Sequence, residues 1–529
     1  MNTNSIDSIF PICKSILGTA VWSRLIPRLG VASEPEAFPN ALESVRADFS
    51  IPEFLPELAR VELIRYKVFN ADVPILEGRE KYEVNPTLEV LNLSWKLSPL
   101  FIKERNISAV NPEPKDEWVI IWRGIPSGKI RIAAASKTEL LAIKVAFEGL
   151  SSKEIAKSNN VSEEDIDVAL LRAAKKGLLI APRSRLRRDT RIFSEGEKAP
   201  DQFVTAKTFT IQWHITHACD LFCKHCYDRS KRSPLTLEQG IKILDDLYSF
   251  CKQRRVRGHV CFSGGNPFMY PQFAQLYRAA ADHGFSTSIL GNPVSRSQLK
   301  EIVDIQKPGY FQVSLEGLAE HNDAIRGKRF FKRVIEFLSV LADFKVSSAV
   351  MLTLTKENVD QILPLAEKLR GQTDYFTFNR LSQVGEGAQL QLPTPDKYIS
   401  FLKEYVKASE KNPIMGFKDN LINIVLDQQG DALFDGCTGF GCGAAFNFIA
   451  VLPDGDAHAC RKFPSLIGNV LKQGIAEVYD SEIAQKYRRG CSACDGCRLR
   501  AVCGGCLAIA QSHRLDISAE KDPYCFIKA

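Results

Sequence analysis

Phe209-Thr210-Ile211-Gln212-Trp213-His214-Ile215 leads through Thr216, His217 and Ala218 into Cys219-Asp220-Leu221-Phe222-Cys223-Lys224-His225-Cys226. The first seven residues, rich in β-branched and aromatic side chains, read as a buried strand. The last eight form a C-x3-C-x2-C loop. Three thiolates so placed can hold three irons of a 4Fe-4S cube and leave the fourth iron without a protein ligand. Outward from the loop, strand-like and helical patterns alternate over 207–380. The strands expected are 209–215, 260–263, 286–290, 311–315, 349–354 and 375–379, with helices near 236–253, 271–283, 296–305, 331–343 and 357–370. Six βα units in series predict an α/β fold with a parallel sheet, doubly wound or rolled into an open barrel, and chemistry at the C-terminal ends of the strands.

Two further strand ends carry motifs. The second strand closes in Ser263-Gly264-Gly265-Asn266-Pro267. The fourth reads Gln312-Val313-Ser314-Leu315-Glu316-Gly317 and is followed by His321-Asn322-Asp323-Ala324-Ile325-Arg326-Gly327. Together with the cysteine loop, these segments resemble the radical S-adenosylmethionine (SAM) superfamily over about 207–390. The resemblance implies a partial (β/α)6 barrel in which Cys219, Cys223 and Cys226 hold a 4Fe-4S cluster whose open iron is chelated by SAM. Gly264, Gly265, Asn266 and Pro267 match the family's Gly-Gly-Glu-Pro segment, which contacts the SAM ammonium group. Glycines permit close backbone approach, and Asn266 stands where the family has Glu, so it accepts without charge assistance. On that reading Asn266→Glu should be tolerated or bind SAM more tightly. Ser314 and Arg326 would contact the ribose or carboxylate of SAM, and His225 would pack beside the adenine.

Fifteen cysteines are too few for a disulfide scaffold of this length, but nine lie between Cys437 and Cys525, so metal ligation is the expected use. Gly455 and Cys460 follow Cys442. Cys494-x2-Cys497-x5-Cys503-x2-Cys506 comes next, then Cys525. The pattern resembles the SPASM domain, a cysteine-rich extension of peptide- and protein-modifying radical SAM enzymes. The resemblance implies two auxiliary 4Fe-4S clusters, one on Cys437, Cys442, Cys460 and Cys506 and one on Cys494, Cys497, Cys503 and Cys525, for three clusters in all. Cys503 and Cys506 are one residue closer than in the commoner pattern, with Gly504 and Gly505 keeping the turn feasible. Zinc is the competing occupant of paired CxxC motifs. Cys13, Cys251 and Cys261 read as small buried hydrophobes. Cys491 stays open, because Cys491-x2-Cys494-x2-Cys497 permits a shifted register.

The stretch 1–113 reads as a helical accessory domain, broken into short pieces by prolines and without a chemical motif. From Trp118 a hairpin is expected, with a turn at Pro126-Ser127-Gly128 and a return strand from Ile130 to Ala133. Three helices come after it, opened by Ser136 and Glu139, Ser151 and Glu154, and Ser162 and Asp165. Gly177 is the expected C-cap of the third, and a short strand 178–180 closes the block. Residues 114–190 thus form a small winged helix that resembles PqqD-like peptide-recognition domains. A DNA-binding winged helix is the alternative, but its recognition helix would begin Glu163-Glu164-Asp165, which repels phosphates. Arg183, Arg185, Arg187, Arg188 and Arg191 read as a solvated basic linker. The barrel is then expected at 205–390 and the SPASM extension at 391–529.

At 25% charged and 45% hydrophobic residues, collagenous, low-complexity and largely disordered classes are excluded. No stretch approaches the roughly 18 uncharged apolar residues of a membrane span, and 15–22 lacks a signal-peptide cleavage site. A cytoplasmic location without membrane attachment is expected. The net charge of +7 is too small to argue for nucleic acid. The resemblances imply a 5′-deoxyadenosyl radical that abstracts hydrogen from a ribosomally made precursor peptide, with thioether cross-linking as the expected outcome. The leader would add as a strand to the edge of the hairpin sheet, and a flavodoxin or ferredoxin would donate the electron. The long N-terminal region and the Gly-Gly-Asn-Pro variant are similar to selenobiotic-type maturases. Two alternatives stay open: a sulfatase-type maturase that oxidises a protein Cys or Ser to formylglycine, and an iron–sulfur redox-sensing transcription regulator.

Overall fold

The computed structural model describes residues 6–30, 34–72, 80–101, 111–125, 127–159, 162–189, 191–193 and 201–527. Pro126 of the expected turn, and residues 190 and 194–200 within and after the basic linker, lie outside the described residues. The chain divides into two compact units, Met1–Arg183 and Ser184–Ala529.

The first unit holds β1 (Glu83–Val84), β2 (Glu89–Trp95), β3 (Pro114–Arg123), β4 (Ile130–Ala134) and β5 (Leu179–Ile180). The three-stranded sheet runs β2-β3-β4, and β1 pairs with β5. Along β3, alternation sends Val119 and Ile121 into a core shared with the helices Pro11–Leu29, Phe38–Ser44 and Leu55–Asn70. Ile120 and Trp122 point the other way, toward the helices Lys137–Glu148 and Glu163–Lys176. The structure differs here from the expected break at 113. Strand β2 comes from the stretch read as helical and pairs along β3 from Glu89–Ile121 to Trp95–Pro114, because a sheet buried on both faces needs more than a two-stranded hairpin. The helix caps match the expectation. Ser136 and Glu139 form a reciprocal capping box, Ser151 and Ser162 each accept from the amide three residues on, and Gly177 closes the third helix at φ +88.

The second unit holds β6 (Thr208–Thr216), β7 (Arg257–Gly264), β8 (Ser286–Leu290), β9 (Phe311–Ser314), β10 (Ser348–Leu354), β11 (Tyr375–Arg380), β12 (Phe448–Val451), β13 (Asp456–His458) and β14 (Leu466–Asn469). Its nine-stranded sheet runs β11-β10-β9-β8-β7-β6-β12-β13-β14. All six barrel strands are parallel and in sequential order. With right-handed crossovers, sequential order puts every connecting helix on one face, which is the barrel solution and not the doubly wound one. Phe209, Ile211, Trp213 and Ile215 of β6 are buried toward those helices. Strand β12 pairs in parallel with β6, so the cysteine-rich C-terminal region continues the barrel's own sheet. A short helix not expected from the pattern, Ala319–Arg326, comes after β9.

Arg188 corrects the reading of a solvated linker. It is 4% exposed, donates to the carbonyls of Phe440 and Cys442 at 2.7 Å each, and lies over the rings of Phe193 and Phe446. Buried carbonyls need donors, and no composition rule shows which arginine supplies them.

Candidate functional site

The Cys219–Cys226 loop leaves the C-terminal end of β6 beside the end of β7. The amides of Gly265 and Asn266 donate to the carbonyls of Thr216 and Ala218 at 2.8 Å. A Cβ on Gly264, which has φ +136, would come within 2.1 Å of the Thr216 carbonyl oxygen, and one on Gly265 within 2.2 Å of that of Ala218. The glycines are therefore required by the approach of two backbones.

Asn266 is tied to the loop. Its Nδ2 donates to Asp220 Oδ1 at 3.2 Å, and its Oδ1 accepts from the Phe268 amide at 3.3 Å. Asn292 Nδ2 donates to the same Asp220 oxygen at 2.6 Å and reaches Cys219 Sγ at 3.6 Å. Burial alone would raise the Asp220 carboxyl, but bonds from Asn292 and Asn266, with Arg333, hold it below the usual range. This geometry argues against glutamate at 266. An amide donates to Asp220 where a second carboxylate would repel it.

Beneath Cys223 lies a buried ion pair. Glu316, 1% exposed, accepts from Arg326 Nε at 2.9 Å and Nη2 at 2.5 Å, and its other oxygen accepts from the Thr353 amide at 2.8 Å. Arg326 Nη1 stands 3.7 Å from Cys223 Sγ, and Nη2 stands 3.3 Å from His225 Nε2. Burial pushes the His225 imidazole down to about 4, with Glu316 opposing and Arg326 reinforcing, so the ring is neutral at pH 7. The arginine read as a SAM contact is thus engaged with Glu316, Cys223 and His225. Ser314 ends β9 half-buried, on the same face as Glu316. Asp220, Asn292 and Glu316 were not singled out from the sequence, where a strand-end acid and a loop asparagine carry no signal of their own.

The C-terminal cysteines gather in two groups. Cys442 faces Cys506, Cys460 and Cys437, and burial with those neighbours pushes its thiol up to about 12. Arg188 holds the Cys442 carbonyl and Lys418 Nζ the Cys437 carbonyl, at 3.4 Å. Cys494, Cys497, Cys503 and Cys525 line one cavity, walled by Leu421 and Ile424. Gly504 and Gly505, at φ +67 and +64, make the tight turn between Cys503 and Cys506. Seven of these eight cysteines are half-buried and Cys503 is buried; crowded thiols cost free energy as thiolates unless a cation offsets their charge, which is chemistry suited to a metal cluster. Cys491 is 3% exposed, adjoins Cys494 and is not part of the cavity wall. Its carbonyl accepts from Arg500 at 2.5 Å. Cys13, Cys251 and Cys261 are buried. Between the loop and the first C-terminal group, the Tyr227 hydroxyl lies 3.1 Å from His214 Nε2 and faces Arg461, Cys226 and Cys460.

Residues 213–369 match the Radical SAM superfamily, and 442–506 match the SPASM iron-sulfur cluster-binding domain. The chain is similar to the AdoMet-dependent heme synthase of Methanosarcina barkeri, 26% identical over 60% of this chain and 96% of that protein. It is also similar to the antilisterial bacteriocin subtilosin biosynthesis protein AlbA of Bacillus subtilis, 25% identical over 56% of this chain and 66% of that one. The mycofactocin maturase MftC of Mycolicibacterium smegmatis is 29% identical over 60% and 82%, respectively. The parallel barrel strands, the three-cysteine loop and the two cysteine groups beyond it thus join a radical SAM superfamily domain to an iron-sulfur cluster-binding SPASM domain in one chain.

Proposed function

We propose that this chain modifies a ribosomally made precursor peptide by radical chemistry, with cysteine-to-carbon thioether formation as its reaction. The observation that carries the reading is that Tyr227, next to Cys226 of the SAM-type loop and 3.1 Å from His214, also interacts with Cys460 of the second cysteine group. Mycofactocin maturase and the subtilosin biosynthesis protein among its relatives support a peptide substrate.

Cys219, Cys223 and Cys226 would hold the SAM-binding cluster. Cys437, Cys442, Cys460 and Cys506 would hold one auxiliary cluster, and Cys494, Cys497, Cys503 and Cys525 the other. When bound, the first cluster and SAM supply one-electron cleavage to methionine and a 5′-deoxyadenosyl radical. The chain's own residues do the positioning. Gly264 and Gly265 let the strand end pack against the loop backbone and so place Asn266 and Pro267, Ser314 and His225 would border the cofactor, and Arg326 places positive charge against Cys223. Forming each thioether removes two hydrogens from the peptide: the one on carbon would leave as the atom taken up in 5′-deoxyadenosine, and the one on sulfur as a proton and an electron, for which an auxiliary cluster would be the acceptor.

The leader would pair with the outer edge of β4, within residues 114–190, with residues 1–113 contributing β2 to the same sheet. Barrel and SPASM regions are assigned to 205–390 and 391–529. An electron-carrier protein would supply the electron, and the cytoplasm is the proposed location. Among the described residues no helix is long and apolar enough to cross a membrane. A formylglycine-type maturase would leave the β4 edge without a role, and a DNA-binding regulator is disfavoured by Glu163, Glu164 and Asp165 at the third helix's start.

The test is anaerobic reconstitution with iron and sulfide, then incubation with SAM, dithionite and the peptide encoded beside the gene. 5′-Deoxyadenosine together with a peptide lighter by two hydrogens per cross-link supports the proposal. Absence of 5′-deoxyadenosine would refute it, and 5′-deoxyadenosine without that mass loss would replace thioether formation with another modification.

A further inference from the structure

We infer that the outer face of the Cys219–Cys226 loop is the docking surface for an acidic one-electron carrier protein. This rests on the radical SAM reading above and assigns that reaction its reductant.

Phe222, between two of the loop cysteines, is 80% exposed, and the Arg229 guanidinium lies 5.3 Å from its ring centre. Arg229 also donates to the Cys223 carbonyl at 2.8 Å, so the aromatic and the cation are fixed on the backbone that carries the cysteines. An aromatic side chain left this exposed gains nothing for folding, and it is the residue type enriched where surfaces meet.

Positive charge surrounds it. The Lys224 amide donates to the Ile325 carbonyl at 3.1 Å, which brings the loop against the turn carrying Lys328 and Arg329. Arg333 reaches back to Asp220 of the loop at 3.3 Å, and Lys332 is exposed one residue before it. Some of this charge is offset locally: Glu386 lies 3.9 Å from Arg229, Glu336 lies 3.6 Å from Lys332, Asp220 pairs with Arg333, and Asp323 accepts from the Arg329 amide at 2.6 Å. Lys224, Lys328 and Arg329 are exposed, and among the described residues no carboxylate pairs with their side chains.

A basic rim around an exposed aromatic, directly over the cysteines that must receive an electron, fits a partner with acidic residues around a surface-accessible redox group. Redox encounters are small and transient, and charge complementarity acts mainly on their association rate. One electron leaves the carrier, which is oxidised, and enters through this loop. It is consumed in breaking the sulfonium C–S bond of SAM, which yields methionine.

The experiment uses the full-length reconstituted protein and flavodoxin as the acidic probe. Zero-length carbodiimide coupling should join flavodoxin carboxylates to Lys224, Lys328 and Lys332, read by peptide mass spectrometry. Coupling predominantly to lysines elsewhere would overturn the assignment. The triple variant Lys328→Glu, Arg329→Glu, Lys332→Glu should lower flavodoxin-driven 5′-deoxyadenosine formation at least about tenfold at low ionic strength and flatten its salt dependence. Dithionite-driven formation should be unchanged. An equal charge reversal at Lys368, Lys403 and Lys407 should leave both rates within about twofold of the unsubstituted protein. An unchanged flavodoxin rate in the first variant, or an equal loss in the second, would refute the docking surface. Absence of dithionite-driven cleavage in the unsubstituted protein would refute the radical SAM reading, while the coupling map still reports on the surface.

Discussion

Arg380 donates two hydrogen bonds to Asp522, Nη1 to Oδ1 at 2.9 Å and Nη2 to Oδ2 at 2.6 Å, and both residues are nearly fully buried. The same guanidinium pairs with Asp419 through Nε at 2.7 Å. Asp522 also accepts from the Cys506 amide at 2.9 Å, and the Cys525 amide donates to its carbonyl. One arginine at the end of β11 therefore braces a cysteine from each C-terminal group.

Arg380→Met should be strongly destabilising, because removing one partner leaves two buried carboxylates uncompensated, at a cost of about 3–5 kcal/mol. The expected outcome is a lowered unfolding temperature, with iron lost from the C-terminal groups before the Cys219 loop. Iron analysis and Mössbauer spectra of the variant would show it. Full retention of iron at unchanged stability would contradict the bracing role.

Gly265→Ala should disrupt the loop, since its Cβ would lie 2.2 Å from the Ala218 carbonyl oxygen. Backbone movement of this kind costs on the order of 1–3 kcal/mol. Asn266→Glu should weaken SAM binding by placing a second carboxylate against Asp220, whereas Asn266→Ala should cost on the order of 1 kcal/mol, about one hydrogen bond. Calorimetric titration of SAM into the reconstituted variants gives the order: glutamate worse than alanine.

Substituting Cys437, Cys442, Cys460 and Cys506 together should remove about four of about twelve irons, as should the Cys494, Cys497, Cys503 and Cys525 set. Cys491→Ser should leave the iron content unchanged. A loss of about four irons in the Cys491 variant would instead establish the shifted register.

Glu62 accepts from the amides of Ile12 and Cys13, at 2.8 and 3.0 Å, and so caps the helix Pro11–Leu29 from another helix. Burial raises its carboxyl above the ordinary value of 4.5, against the pull of those amides. The native state then holds the proton more tightly than the unfolded one. Its stability contribution is present in full below about pH 4.5 and is lost as pH rises through the raised folded value. Glu62→Gln should remove that pH dependence and expose one amide to an unfavourable NH2 contact, at about 1–3 kcal/mol. Hydrogen exchange of the Pro11–Leu29 amides against pH is the measurement.

The β4 edge offers a sharper test of peptide recognition than deletion of residues 1–190. The Ala135 amide bonds the Trp118 carbonyl and the Gly124 amide the Lys129 carbonyl, and the antiparallel register alternates between them. Arg131 and Ala133 therefore donate inward to β3, while Ile130, Ile132 and Ala134 donate outward. Proline at Ile132 should abolish binding of a labelled leader peptide with the hairpin intact, and proline at Arg131 should break the hairpin itself. Anisotropy and circular dichroism distinguish the two. Undiminished binding by a folded Ile132 variant would move recognition elsewhere.

The barrel was legible because each of its elements is a local pattern. Six apolar strands, their capped helices and the C-x3-C-x2-C loop are written in consecutive residues, whereas the sequential strand order that separates a barrel from a doubly wound sheet was visible only in the folded chain. The two cysteine groups were legible through their spacing and its resemblance to a known domain. What local pattern could not show was pairing between distant residues. Strand β2 belongs to the hairpin sheet because β3 needs a partner on its free edge. Arg188 is buried because carbonyls more than 250 positions away need a donor. Asn266 and Asn292 both donate to Asp220, so three separate strand ends meet at one carboxylate. Hydrogen bonds and charges act over a few ångströms in space irrespective of sequence separation, so these roles came into view only once the chain was folded.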